Sequence, residues 1–515
     1  MKYKTQWNLE KYFYSGFDDP DFIRDQNLGK EKLREFIKKY KNIFHTFHTS
    51  EKIIEFYDEY TDLICILEKP LYFSYYNYSQ DIHNADKVKK YIKLQSEYEK
   101  YIKKLDFIQE AWKKIGKETL ESLLHNPKML PYKNDIASII ENLPHIGNET
   151  KEKSESMKNM NIEKIQMKYQ EINNSDILQE EKNKKISTLY HKLCLCWSDK
   201  MKQGNYGDNP MALRNRQEQL PDDFVDFFLS KVGYYIPQYQ DFLRTYTPSK
   251  ITQNSYNLQE TIHTYLDVVS EISPNGGAQL QDVFVGSRAD LLPKSDKYPG
   301  AFSSYRYRSP AFVSLHFCGD VSSVFTFAHE MGHILHGTLS QQQKSPVYYS
   351  PFVLAETAAI LSEILYFDRH LSQDEKAKNY FINSLYTSIF YQLQITLFEK
   401  EGHKLSDLEK YDFSYLWKKI GNTVSGDYFS SSQWENISHI FHTPFYCYSY
   451  IFGAIAALGL FLEYKNKNIQ IKDIVEFYSS GGSSRPLDLL RKHSIDLYDD
   501  TLYDRIFTYL QSLHK

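Results

Sequence analysis

Cysteine is scarce in this chain: five in 515 residues, an odd number, with no C-x-x-C pair. Cys194 and Cys196 form a C-x-C, too close for an ordinary disulfide and too isolated for a zinc finger. That usage excludes a disulfide scaffold and fits a reducing compartment. Strong charge of one sign is also missing. A net charge of −4 argues against nucleic acid as the main partner. Long apolar runs are absent as well. The longest, "IFGAIAALGLFL" at 451–462, has 12 residues. A membrane span needs about 20, so this run reads as a buried helix. The opening "MKYKTQWNLEKYFYSGF" has no apolar region of the kind a secretory signal uses. There is no internal repeat, and no heptad run that would specify a coiled-coil oligomer. These absences lead to the expectation of a soluble, cytoplasmic monomer with neither nucleic-acid nor membrane partners.

What is present is an ordinary globular balance, 41% hydrophobic and 25% charged, with 43 Tyr among the aromatics. Leu33, Phe36, Ile37, Tyr40, Phe44 and Phe47 recur at helical spacing, as do Ile53, Ile54, Tyr57, Tyr60 and Ile64. The second series is expected to stop before Pro70. A single long helix is expected over 86–113, and another helical, charged stretch over 162–193. The segment 142–156 is a breaker followed by charge, a candidate linker. "SPNGGAQ" (273–279) and "SSGGSSRP" (479–486) read as loops, and "PAFVSLHF" (310–317) as the best short strand. The expected class is mainly α with a small sheet, divided into an N-terminal helical region 1–145 and a catalytic region 146–515.

The chemistry is concentrated in "TFAHEMGHILHG" at 326–337, which contains H-E-x-x-H. With 17 His in the chain, chance supplies this pattern roughly 0.04 times. Asp320 is a good N-cap, no proline interrupts 321–340, and Val324, Phe327, Ala328, Met331, Ile334 and Leu335 offer a face to bury. On that helix His329 and His333 stand one turn apart and can share one metal ion. Glu330 can reach a metal-bound water as general base. A catalytic zinc site needs a third protein ligand. Leu339 stands where the metzincin pattern would place a histidine. His336 suits a structural or supporting role better than ligation. Downstream, "SPFVLAETAAILSE" opens with Ser350 as expected N-cap and Pro351 at the first helical position. Glu356 and Glu363, seven residues apart, share a face with Val353 and Ile360. Carboxylates among apolar residues need partners: Glu356 is the expected third ligand and Glu363 the group that orients an imidazole. Farther on, Thr443 and Pro444 are expected to open a helix. Tyr446 and Tyr450 would share one face and Tyr448 point away from them.

These segments resemble the M3 family of zinc metallopeptidases, closest to the oligoendopeptidase F type. The likeness rests on "FTFAHEMGHILHG", "FVLAETAAILSE", "YPGAFSS", "PAFVSLHF", "ISHIFHTPFYCYSYIFGA" and "YSSGGSSRPLDLLRKHSIDL", in the family's order, and thinly on "QWNLEKYFYSGFDDPDF". The resemblance implies a two-lobed, helical zincin fold with a small sheet beside the active-site helix and a deep substrate channel. It implies one Zn2+ held by His329, His333 and Glu356, with Glu330 as the base. It implies hydrolysis of internal bonds in short, unstructured peptides, paired along "PAFVSLHF" as edge strand. The His/Tyr segment would supply His439 and an oxyanion donor, for which Tyr448 is slightly favoured over Tyr446. The competing readings are a zinc exopeptidase and a catalytically silent peptide-binding protein. The intact Glu330 argues against the latter.

Overall fold

The computed structural model describes residues 2–146, 162, 164–173, 175–247, 255–405, 412–426, 428 and 433–514. Part of the candidate linker at 142–156 therefore lies outside the described residues. Helices dominate, and one three-stranded sheet, in the order β1 (Ala289–Asp290), β3 (Ser309–Ser314), β2 (Phe302–Arg306), is the exception. Among the described residues no helix is long and apolar enough to cross a membrane. None of the five cysteines is in a disulfide.

Three helices set the geometry of the centre. The motif helix, Val321–Leu339, starts at Asp320, whose carboxylate accepts from Ser323 N at 2.7 Å. The ligand helix, Phe352–Tyr366, packs between it and the tyrosine helix, Tyr448–Lys465. Small residues let these backbones approach. A Cβ on Gly332 would lie 2.6 Å from Ser362 Cβ and 2.9 Å from Ala359 Cα. One on Gly453 would lie 2.9 Å from Glu356 Cβ. The 451–462 run is the buried interior of the tyrosine helix, almost wholly shielded from solvent.

Several local expectations fail for identifiable reasons. The helix expected to stop before Pro70 runs unbroken from Ser50 to Gln80. Leu63, Leu67, Phe73 and Tyr76 on both sides of the proline are buried. Their burial outweighs a lost backbone hydrogen bond and ring clash of about 3 kcal/mol. The stretch 86–113 forms two helices, Ala85–Lys103 and Phe107–Ile115. "SPNGGAQ" is not a loop but the start of the helix Pro274–Val285, with Ser273 Oγ accepting from Gly276 N at 3.0 Å. Its glycines serve close packing: a Cβ on Gly277 would meet Ser270 Oγ at 2.1 Å.

The ligand helix begins one residue later than expected, and Ser350 does not cap it. Glu218, distant in sequence, accepts from Val353 N at 3.1 Å instead. The helix expected at Thr443–Pro444 begins only at Tyr448, because Phe445 adopts the left-handed conformation, φ 60°.

Packing crosses the 145/146 boundary. Trp7 donates from its indole to Arg288 O (2.9 Å) and Val313 O (3.0 Å) and packs on Tyr76, Phe302 and Phe312. A separate apolar cluster occupies residues 33–136. Gly332→Ala is expected to destabilise the protein by about 1–3 kcal/mol, despite the better helix propensity of alanine. Urea unfolding measures this. Unchanged or increased stability would show that the two helices can separate without cost.

Candidate active site

The H-E-x-x-H spacing sets two imidazoles edge to face on one side of the motif helix, with ring centroids 4.9 Å apart and planes at 87°. The ligand helix crosses so that Glu356 Oε2 lies 3.5 Å from His329 Nε2 and 3.9 Å from His333 Nε2. One atom from each of the three side chains falls within 4.8 Å of the other two. Ligand atoms around a tetrahedral zinc stand roughly 3.4 Å apart, given bonds near 2.1 Å. Glu356 is 2% exposed, and its Oε2 has no hydrogen-bond partner among the described residues. An orphaned, desolvated carboxylate oxygen aimed at two imidazole nitrogens is what a divalent cation requires. The donor set therefore fits a metal ion.

Surrounding groups tune this trio. Glu363 Oε1 accepts from His329 Nδ1 at 2.7 Å, which turns Nε2 toward the cluster. Burial alone would lower the proton affinity of His329. The Glu363 hydrogen bond and the charges of Glu363, Glu356 and Glu330 reverse that and push its pKa up to about 10. The same negative field favours a metal cation. His333, desolvated and beside His329, is held well below the usual imidazole range. Glu330 is 7% exposed. Burial raises its carboxyl to about 7, against the opposing pull of His329 and a Ser303 hydrogen bond. His336 does not join the group: its ring packs near Phe477 and Tyr478, and burial lowers its pKa to about 4.

The His/Tyr segment closes the other side. The Tyr446 hydroxyl donates to Glu356 Oε1 in a very short contact. Its ring stacks on the exposed ring of His439 at 5.7 Å and meets Tyr450 edge-on at 5.3 Å. Tyr450 feels the charges of both Glu356 and Glu330. Tyr448 faces elsewhere. It is wholly buried, in the field of Glu218, Arg214 and Asp222. The structure thus brings Tyr446, with Tyr450 beside it, to the metal-ligand group, and not Tyr448, the tyrosine slightly favoured from the sequence. Helical geometry separates 448 from 450, and the left-handed turn at Phe445 delivers 446 to the site.

The strand expectation also changes. "PAFVSLHF" supplies β3, but β3 is the middle strand, parallel to β1 and antiparallel to β2. β2 lies along one side of β3 and β1 covers Val313 and Ser314 on the other, so β3 is not an edge strand. Of the two outer strands, β1 has only two residues and the longer is β2. It packs on the motif helix and carries Ser303, bonded to Glu330, and Tyr305, which feels the Glu356 and Glu330 charges. Sequence reasoning did not single out Ser303 or Tyr305. Their alternation in "AFSSYRY" was the available signal.

A second trio, Asp473, Glu476 and His493, also brings ligand atoms within 4.8 Å. There Asp473 accepts from Gln470 N at 2.7 Å and Glu476 is paired with Lys492.

A mainly helical protein whose H-E-x-x-H helix is completed by a carboxylate from a neighbouring helix falls in the metallopeptidase class. Comparison with known proteins specifies which one: residues 98–508 match the model of peptidase family M3, and the chain belongs to that family. It is 22% identical over 564 aligned positions to an oligoendopeptidase F homolog of Borreliella burgdorferi, covering 96% of this chain and 94% of the relative. It is 27% identical to oligopeptidase PepF of Bacillus subtilis over 40% of this chain and 33% of that one. Among solved structures, oligoendopeptidase-F from Enterococcus faecium superposes with a TM-score of 0.65 at 13% identity, covering 96% and 97% of the two chains. A PZ peptidase A with inhibitor gives a TM-score of 0.71 at 15% identity, covering 94% and 97%.

Glu356→Ala is expected to abolish tight metal binding, and Glu363→Gln to weaken it about 10–100-fold. Equilibrium dialysis against zinc or cobalt reads both. Full retention by the alanine variant would remove Glu356 from the ligand set.

Proposed function

We propose that this chain is a zinc-dependent oligoendopeptidase that hydrolyses internal bonds of short, unstructured peptides. The observation that carries the reading is the orphaned Glu356 Oε2 facing both H-E-x-x-H imidazoles, with Glu330 buried beside them. His329, His333 and Glu356 would hold the ion. Zinc so held supplies Lewis acidity, polarising the scissile carbonyl and bringing the pKa of the attacking water toward 7.

The chain's own groups do the rest. Glu330, tuned by burial to about 7, is matched to neutral conditions as a base. It takes a proton from the attacking water and returns it to the leaving amine. The Tyr446 and Tyr450 hydroxyls are kept protonated, because burial pushes both well above their usual range. Tyr450 can donate to the oxyanion that develops at the carbonyl, and Tyr446 can do so once its single O–H turns from Glu356 Oε1 to that oxygen. His439, stacked on Tyr446, fixes that ring and adds a donor at the same face. The free edge of β2 pairs with the substrate backbone, a mode that tolerates varied side chains. Selection for short peptides follows from access. With Glu330 7% and Glu356 2% exposed, only an extended, flexible chain can bring its backbone to them. The curated relatives' names, oligoendopeptidase and oligopeptidase, support the same substrate class.

The test is an internally quenched peptide of about eight to ten residues, blocked at both ends, since strand pairing suits an extended segment. Wild type with zinc cleaves it internally, a chelator stops cleavage, and zinc restores it. Glu330→Gln keeps its metal and loses about 10²–10⁴ in turnover. Cleavage only after one terminus is freed would make the protein an exopeptidase. Peptide binding without cleavage would make it a binding protein.

A further inference from the structure

Three buried ionisable side chains lie behind the catalytic group and bond to none of its ligands. Arg214 and Glu218, on and just after the helix Ala212–Gln217, are 7% and 1% exposed. Glu399, on the helix Gln392–Lys404, is fully buried. Arg214 Nε donates to Pro444 O at 3.2 Å, and its guanidinium is 3.5 Å from Glu218 Oε1. Glu218 Oε2 accepts from Val353 N in the first turn of the ligand helix. Glu399 Oε1 accepts from Phe445 N at 2.8 Å, and Arg214 lies close enough for its charge to act on Glu399.

Both ends of this network therefore stop one to three residues short of a functional side chain. Pro444 and Phe445 immediately precede Tyr446, and Val353 is three residues before Glu356. Phe445 is held at φ 60°, a conformation that costs about 1–3 kcal/mol for a residue of this kind and persists only when its surroundings impose it. The groups imposing it are Arg214 on the preceding carbonyl and Glu399 on the amide. Fold stability is a poor explanation for such a network. Buried ion pairs seldom outperform apolar residues of similar size, and here Arg214 pairs with Glu218 alone while Glu399 Oε2 has no hydrogen-bond partner among the described residues.

We propose that Arg214, Glu218 and Glu399 form a positioning clamp that sets Tyr446 against Glu356 and so places the phenol for the transition state. Arg214 is the common member. It ties the Pro444 carbonyl, on the tyrosine side, to Glu218, which caps the ligand helix. The clamp fixes the distance between two elements that are far apart in sequence, and its absence would leave Tyr446 on a turn that relaxes out of the left-handed conformation. This inference rests on the reading of Tyr446 as an oxyanion donor.

A double-mutant cycle between Glu399→Ala and Tyr446→Phe tests it with the zinc-loaded full chain and the quenched peptide. Glu399→Ala should lower kcat about 10–100-fold, with KM and metal content unchanged. Glu399→Gln retains an oxygen for Phe445 N–H and should recover most of that loss. On the Tyr446→Phe background, Glu399→Ala should cost less than about twofold more, because the hydroxyl it positions is gone. Should the alanine variant not fold, Arg214→Lys, which keeps the buried charge but loses the contact to Pro444 O, takes its place in the cycle.

Additive losses, a neutral Glu399→Ala, or no recovery with glutamine would each overturn the clamp while leaving Tyr446 as donor. A neutral Tyr446→Phe would overturn the donor reading, and the clamp with it.

Discussion

Burying an unpaired carboxylate costs several kcal/mol, and Glu356 is buried where the ligand helix packs between its two neighbours. The centre depends on how that cost is met. One oxygen receives the Tyr446 hydroxyl, and the other faces His329 and His333. No apolar arrangement of the same three helices would need Glu363 behind His329, or a tyrosine delivered by a left-handed turn. Gly332 and Gly453 belong to the same constraint. Without them the ligand helix would stand too far from its neighbours for Glu356 to reach both imidazoles.

The electrostatics follow from that placement. Three carboxylates surround His329, two of them deeply buried, and they make the pocket a place where positive charge is strongly favoured. Burial also raises Glu330 and keeps Tyr446 and Tyr450 protonated. Desolvation thus prepares a cation site, a base near neutrality and hydrogen-bond donors from one cause. The ligand helix has no local cap, and a carboxylate brought from Glu218 serves its amides, where the helix dipole favours negative charge.

The sheet contributes more by position than by size. Its middle strand is anchored by Trp7 from the chain's beginning, so β2 is held firmly against the motif helix. Ser303 and Tyr305, on alternate positions of that strand, face the acid residues. Among the described residues, the outer edge of β2 pairs with no other strand.

Short-range patterns were legible from the residues. Asp320 announced the motif helix, the i, i+4 histidines their shared side, and the i, i+7 carboxylates a common face. Those relations depend only on helical period and local capping, which the chain carries in itself. Pro70 and "SPNGGAQ" misled because tertiary burial and close packing overrode strong local breakers. Which strand is the edge, which tyrosine meets Glu356, and what caps the ligand helix were undecidable locally. Each depends on groups distant along the chain: β1 and β2 flanking β3, Glu399 and Arg214 bending the turn at Phe445, and Glu218 reaching Val353. The sequence by itself determined the motif helix, the His and Glu residues that meet in the candidate metal site, and the family. Only the tertiary structure decided which side chains face one another, because that is set by helix crossings and buried polar groups between segments far apart along the chain.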